Sequence, residues 1–386
     1  LGAGIGQIGL FYTISQVIPL LLQILGGWLS DSLGRLRAIA IGSVVGVLVY
    51  VPLLLATRWE WVLLASALGA VTRALVGPSF DAFIADHSAP ENRARLFGIT
   101  QTLFGVVSVV GPALGGYLVE AMSFKGMLAV AGALYVAATV IRVGMAREAA
   151  KNPDNAPGSL SLGNLKANLG TMLGLTLAGG LFTWILITDG VRDIFFNMSF
   201  SFLSVFMQDI ARLSISQIGI MNSIFGIAMM AVMIPSGWLA DKVGERVNIT
   251  ISFLFMAISI AMIALVPPAS PAWLYGLGWV IAGTGVGLAT PAYQSLISKA
   301  VPQRLRGVAF GLFSTSLGLV SLPAPMIGGF LWEKVSPQFP FILTALASLL
   351  VMLPAWLKFK VTGDMPDIPP ASSDADNMSA NRVDQP

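Results

Sequence analysis

The 386-residue chain contains no cysteine and one histidine, His87. The first absence excludes disulfides and thiolate metal sites, and the second leaves no histidine-based metal cluster. Charge is also scarce. Only 11% of residues are Asp, Glu, Lys or Arg, against 55% hydrophobic, with a mean hydropathy of +0.80. Soluble domains carry about 25% charged residues. So much apolar surface exceeds what a core can absorb, which makes lipid the solvent. The chain also lacks a phosphate loop of the Gly-x-x-x-x-Gly-Lys-Ser/Thr type, so ATP is not expected to drive it directly. Neither a cofactor nor a nucleic-acid partner is expected.

What the chain has in abundance is long apolar runs. A bilayer core takes about 20 apolar residues per helix. Eleven runs of that kind are read at 5–29, 37–57, 61–83, 97–119, 124–146, 188–207, 216–239, 247–267, 272–296, 308–331 and 339–358. The expected class is an all-α membrane protein in two bundles. One bundle covers 1–147. A linker, 148–187, follows and opens with the Pro-, Asn- and Ser-bearing stretch "REAAKNPDNAPGSLSLG". The second bundle covers 188–362, and a polar acidic tail runs over 363–386, too poor in apolar residues to fold alone. The apolar stretch 164–187 is read as an interfacial or re-entrant helix, because a further crossing there would put the two halves' matching loops on opposite sides.

Those loops are the clearest internal repeat. "GWLSDSLG" (27–34) returns as "GWLADKVG" (237–244), 210 residues later. "FGITQTLFGVVSVVGPALGGYLVE" (97–120) is answered by "FGLFSTSLGLVSLPAPMIGGFLWE" (310–333), 213 residues later. Two parallel copies related by an axis along the membrane normal are a transporter architecture. Physically, Gly27 and Gly237 are expected to let helices approach closely. Asp31 and Asp241 are placed to cap a neighbouring helix amino end, and Gly34 and Gly244 to make a tight turn.

Sidedness follows from the 22 lysines and arginines. With both octapeptides in the cytoplasm, only Arg58, Lys125, Arg212 and Lys334 fall outside. Arg73 lies within a span, Arg382 in the tail, and the other sixteen are cytosolic, as the positive-inside rule requires.

These motifs resemble the loop signature of the major facilitator superfamily, Gly-x-Leu-x-Asp-x-x-Gly-Arg followed by basic residues. It is met at Gly27, Leu29, Asp31, Gly34, Arg35 and Arg37, and in part at Gly237, Leu239, Asp241 and Gly244, with Glu245 in place of arginine. The resemblance covers about 1–362. It implies a two-bundle transporter in the cell membrane that works by alternating access as a monomer on a small-molecule substrate. The family has twelve helices and this signature follows the second. The expectation is therefore that the family's first helix, part of its cavity wall, is not in this chain.

"GPALGG", with Gly111, Pro112, Gly115 and Gly116, is similar to the family's antiporter element, although position 107 is Val rather than glycine. "RALVG" (73–77) resembles an Arg-x-x-Gln-Gly element of proton-coupled drug exporters, with Val76 replacing glutamine. Together they point toward proton-driven export of small amphipathic molecules. A symporter or facilitator for a polar metabolite is the alternative, and a non-transporting sensor on the same scaffold is a further one.

Arg73 stands near the middle of its span, where arginine costs about 2.5–3.5 kcal/mol on insertion scales. It is the expected coupling cation, and Asp81, two turns on and closer to the cytosol, is read either as a protonation site or as an interfacial carboxylate. A structural arginine bonded to helix carbonyls is the bland reading. Arg192 and Asp193 are read near the cytosolic start of their span, where snorkelling to the interface is the expected reading and a gate or domain-interface pair the alternative. Gln7, Tyr12, Gln16, Asn197, Asn222, Thr290, Tyr293 and Gln294 are candidate cavity groups. The alternative for each is an interhelical bond worth about 0.6 kcal/mol. The dinucleotide-like "GIGQIG" (4–9) lacks a preceding strand, and the glycosylation-like "NMS" and "NIT" triplets fall in membrane or cytosol.

Overall fold

The computed structural model describes residues 2–86, 90–149, 180–268, 270–301, 313 and 318–360. The stretch 150–179, most of the expected linker, and the tail lie outside the described residues.

Every expected apolar run contains a helix, and no strand occurs among the described residues. In chain order the helices are α1 (Ile5–Leu33), α2 (Arg35–Leu55), α3 (Glu60–Asp86), α4 (Pro90–Met122), α5 (Phe124–Ala149), α6 (Gly180–Phe200), α7 (Leu203–Asp209), α8 (Ile215–Val243), α9 (Glu245–Leu265), α10 (Ala272–Ala300), α11 (Ala324–Lys334) and α12 (Phe339–Lys358). Eight of them are long and apolar enough to cross a membrane by length and composition. The expected run 188–207 is broken after Phe200, and its last residues fall in the short α7. Prolines stand inside several spans, including Pro52, Pro78, Pro112, Pro235 and Pro291. Neighbouring helices and side chains can satisfy the carbonyls that these prolines release.

The two octapeptide turns have the same shape. Gly34 (φ 86°, ψ 140°) joins α1 to α2, and Gly244 (φ 91°, ψ 149°) joins α8 to α9. A side chain there would meet a steric penalty of about 1–2 kcal/mol, which is why glycine is written at both. Glu245 follows the second turn, buried. It accepts hydrogen bonds from Ser295 (2.7 Å) and Lys299, so the departure from arginine fastens α9 to the end of α10. The close-approach role expected of Gly237 is not found, because a Cβ there would meet nothing within 4 Å. The side chains of Asp31 and Asp241 are outside the described ones.

Within the first half, α2 packs on α3 and α5, and α1 on α3. Within the second, α10 packs on α8 and α9, and α12 on α6 and α9. The halves meet along two crossings, α1 with α11 and α4 with α8. These crossings are copies of each other. A Cβ on Gly219 would overlap the Pro112 carbonyl oxygen, and one on Gly9 would sit 2.7 Å from the Pro325 carbonyl oxygen. The pairs are related by the repeat found in the sequence.

Two core clusters among the described residues lie in the second half. One cluster gathers Phe182, Ile185, Ile249, Phe253, Leu296 and Phe359, and another gathers Phe202, Phe206, Ile260, Tyr275, Trp332 and Phe341. Large apolar side chains such as Leu134, Val140, Leu265 and Leu350 face outward, which is the surface a bilayer covers.

Candidate functional site

Helix α6 begins at Gly180, eight residues before the expected span. The run "GLFTWILI" is therefore the first two turns of this helix, with Phe182 and Ile185 buried in the core. The shift has a chemical consequence. Arg192 and Asp193 move from the start of a helix to its middle, and Asp189 enters the interior with them.

Asp189, Arg192, Asp193, Phe196 and Asn197 recur at three- and four-residue steps and share one face. Asp189 is only 1% exposed. Arg192 Nη2 lies 2.8 Å from Asp189 Oδ1. Its guanidinium stands 5.8 Å from the centre of the Phe253 ring and 5.9 Å from that of Tyr293. It therefore does not snorkel to the interface. Its charge is balanced by a carboxylate and two aromatic faces, the usual ways of holding an intramembrane cation. Both Asp189 oxygens and the Tyr293 hydroxyl are buried without a hydrogen-bond partner among the described residues. One turn on, Asn197 Nδ2 donates to Asp193 Oδ2 at 3.0 Å. Thr344 fixes this helix to α12, its hydroxyl donating to the Phe195 carbonyl with the Ser199 hydroxyl 3.0 Å away.

This face lines a cavity of about 530 Å³. Its other walls are Phe225 from α8, Ser252, Phe253 and Met256 from α9, Thr290, Tyr293 and Gln294 from α10, and Phe313. The volume is that of a pocket for a drug-sized molecule. Its surface is mainly aromatic and aliphatic, with two carboxylates and one guanidinium. With all three ionised, the group carries one net negative charge.

Beyond Asn197 lies a smaller compartment of about 250 Å³, built by both halves. Tyr12 and Gln16 come from α1, Asn197 and Ser201 from the α6 region, Asn222 from α8 and Trp279 from α10. Trp279 Nε1 donates to Asn222 Oδ1 at 3.3 Å. Tyr12 and Asn222 occupy matching places in the two repeats.

Most of the polar groups singled out in the sequence therefore line one of two cavities. Tyr12, Gln16, Asn197 and Asn222 are in the smaller, and Thr290, Tyr293 and Gln294 in the larger. Gln7 is the exception. Its Oε1 accepts from the Gly4 N–H at 2.9 Å, so it caps α1. Arg73 and Asp81 line neither cavity. With Gly77 they form an exposed stripe at four-residue steps along α3, and among the described residues neither makes an ion pair. Of the antiporter-like residues, Pro112 and Gly116 meet α8 across the interface, while a Cβ on Gly111 or Gly115 would meet nothing within 4 Å. Asp189 escaped the sequence reading altogether. The signal was the apolar octet before it, which extends the span inward.

No group of three or more metal-ligating side chains occurs among the described residues. A model of the major facilitator superfamily matches residues 1–325 and 185–380. The chain belongs to the major facilitator superfamily. It is a multi-pass membrane transporter and not an enzyme. Among curated relatives, the class C tetracycline resistance protein of Escherichia coli is 27% identical over 303 residues, 78% of this chain and 74% of that protein. A multi-drug resistance efflux pump PmrA homolog of Lactococcus lactis is 24% identical over 357 residues, 91% of this chain and 85% of that one. Among solved structures, a peptide transporter POT in complex with sulfate superposes with a TM-score of 0.73 at 14% identity, covering 92% of this chain and 86% of that one. At that identity the likeness shows a shared superfamily fold, with two parallel-repeat bundles.

Proposed function

We propose that this transporter exports small amphipathic molecules in exchange for protons, by alternating access. The observation that carries the reading is the Asp189–Arg192–Asp193 group in the wall of a 530 Å³ aromatic cavity. One guanidinium balances only one of the two carboxylates. The remaining negative charge is costly in a low-dielectric interior, so the site favours a proton or a cationic portion of a substrate, and one displaces the other. The aromatic walls supply non-directional apolar contact suited to varied ligands. The names of the relatives support export: one is a tetracycline resistance protein and another a multi-drug resistance efflux pump. By the charge count, the Gly34 and Gly244 turns face the cytosol.

The test is transport of a cationic dye by the complete protein in liposomes, with and without an imposed pH gradient. The parent is expected to respond to the gradient. Asp193→Asn is expected to retain dye binding while responding less. A parent indifferent to the gradient would overturn proton coupling and leave a facilitator.

The exposed stripe of α3 favours a second coupling element. Arg73 sits in mid-helix, where only a water-filled path or a partner makes arginine tolerable. Arg73 would supply the fixed positive charge of that path, with Asp81 as the carboxylate on the same stripe. Arg73→Ala is expected to uncouple transport from the gradient, with Arg73→Lys rescuing poorly because lysine lacks the planar two-point donor. An unchanged gradient response in Arg73→Ala would remove this residue from the coupling path.

A further inference from the structure

The end of the molecule opposite the Gly34 and Gly244 turns is closed by a matched pair of contacts between halves. The Gly6 N–H donates to Glu333 Oε1 at 2.8 Å, and the Ser216 N–H donates to Glu120 Oε1 at 2.9 Å. Gly6 is in the first turn of α1 and Ser216 in the first turn of α8, while Glu120 and Glu333 close α4 and α11. Both acceptors are related by the 213-residue repeat and both donors by the 210-residue repeat. The same bond is thus made twice, each time from one half to the other.

The chemistry fits a contact that opens. First-turn amides have no partner within their own helix, and the helix dipole favours a carboxylate beside them. The neighbouring amides are already used locally. Gln7 accepts from Gly4, and Ser214 and Gln217 bond each other's backbone in a capping box. The two glutamates are exposed, so water can replace each bond at small cost when the halves separate. Just inside them the backbones touch, with a Cβ on Gly116 falling 2.9 Å from the Ile215 carbonyl oxygen and one on Gly329 falling 3.2 Å from that of Ile5. A glutamate beyond such a crossing forms its bond only when the crossing is shut.

We infer that Glu120 and Glu333 are paired gating residues, each closing this end by binding the first turn of a helix of the opposite half, α8 for Glu120 and α1 for Glu333. The inference rests on alternating access, as the proposed function does, but not on proton coupling or on any substrate.

The chain has no cysteine, so a single reporter can be placed cleanly. Ser204→Cys, on the wall of the smaller compartment, is labelled by an impermeant maleimide added from the side bearing the two glutamates. The complete protein in liposomes is used, without substrate. Replacing both glutamates by alanine is expected to raise the labelling rate about 3- to 30-fold, from two contacts at helix-dipole strength. Each single alanine should give a smaller rise of the same sign. Gln at both positions keeps the acceptor without the charge and should fall between parent and double alanine. Unchanged labelling in the double alanine variant would overturn the inference. So would an equal rise with Lys334→Ala, a neighbouring charge that makes neither bond. Loss of dye transport with the latch behaviour intact would count against the proposed function alone.

Discussion

Asn248 reaches back across the second octapeptide turn to Ser236, its Nδ2 donating to the Ser236 carbonyl at 2.8 Å and to the hydroxyl at 3.1 Å. Ser236 in turn donates to the Leu288 carbonyl at 2.9 Å. Three helices, α8, α9 and α10, are thereby joined by two buried side chains. The matching places in the first half are Gly26 and Ala38, so the clamp exists once. The asparagine of the "NIT" triplet is fully buried in this clamp.

Asn248→Ala should therefore destabilise the second half. It removes two hydrogen bonds and leaves a buried carbonyl short of a donor, at a cost of about 1–3 kcal/mol. Thermal unfolding of the purified protein reads this directly. A melting temperature equal to the parent's would mean that the clamp contributes nothing.

The repeat made much of the fold legible in advance. Apolar runs of bilayer length and two duplicated motifs were enough to place helices in all eleven runs and the Gly34 and Gly244 turns. The site was legible by type and blurred by position. Polar residues at Tyr12, Gln16, Asn197, Asn222, Tyr293 and Gln294 do line cavities. Asp189 was missed because the start of α6 was set by parity of crossings, and parity cannot see that 180–187 extends an existing span. Gln7 was misplaced because a glutamine at the third helical position caps as readily as it lines a cavity. Gly237 was given a packing role that its neighbours do not supply, since glycine spacing alone does not say what lies across from it.

Glycine substitutions should separate contact from mere repetition. Gly219→Ala and Gly9→Ala put a methyl into a facing carbonyl, and overpacking of this kind costs about 1–3 kcal/mol. Gly237→Ala meets nothing within 4 Å and gains helix propensity, worth up to about 1 kcal/mol. Melting temperatures should fall for the first two and hold or rise for the third. The same order is expected in detergent and in lipid. A fall for Gly237→Ala would show that this position meets something outside the described residues.

The orientation is open to an independent check. Cysteines introduced at Ser32 or Lys242, beside the two positive-φ glycines, should react with an impermeant thiol reagent only after the cell is opened. Lys125, in the first turn of α5, should react in intact cells when made cysteine. Labelling of Ser32→Cys or Lys242→Cys from outside would invert the topology and the assignment of Glu120 and Glu333 to the outer end.

The ion pair on α6 gives the sharpest separation of stability from function. Arg192→Gln leaves two carboxylates, Asp189 and Asp193, without a counter-charge, whereas Asp189→Asn leaves Arg192 facing Asp193 alone. Taking the cation out of a buried pair costs about 3–5 kcal/mol. Removing both charges together leaves two neutral amides of similar size in an aromatic wall, which can be nearly neutral for stability. The double variant Asp189→Asn/Arg192→Gln should therefore melt closer to the parent than Arg192→Gln, which melts well below it. Transport should not follow stability. The double variant keeps Asp193 but has lost the cation that set its charge against Asp189, so the response of dye transport to a pH gradient should be weakened or lost in a well-folded protein. If the double variant both melts and transports like the parent, the pair is dispensable to both. The coupling reading would then have to rest on Asp193 or on the exposed Arg73 and Asp81 of α3.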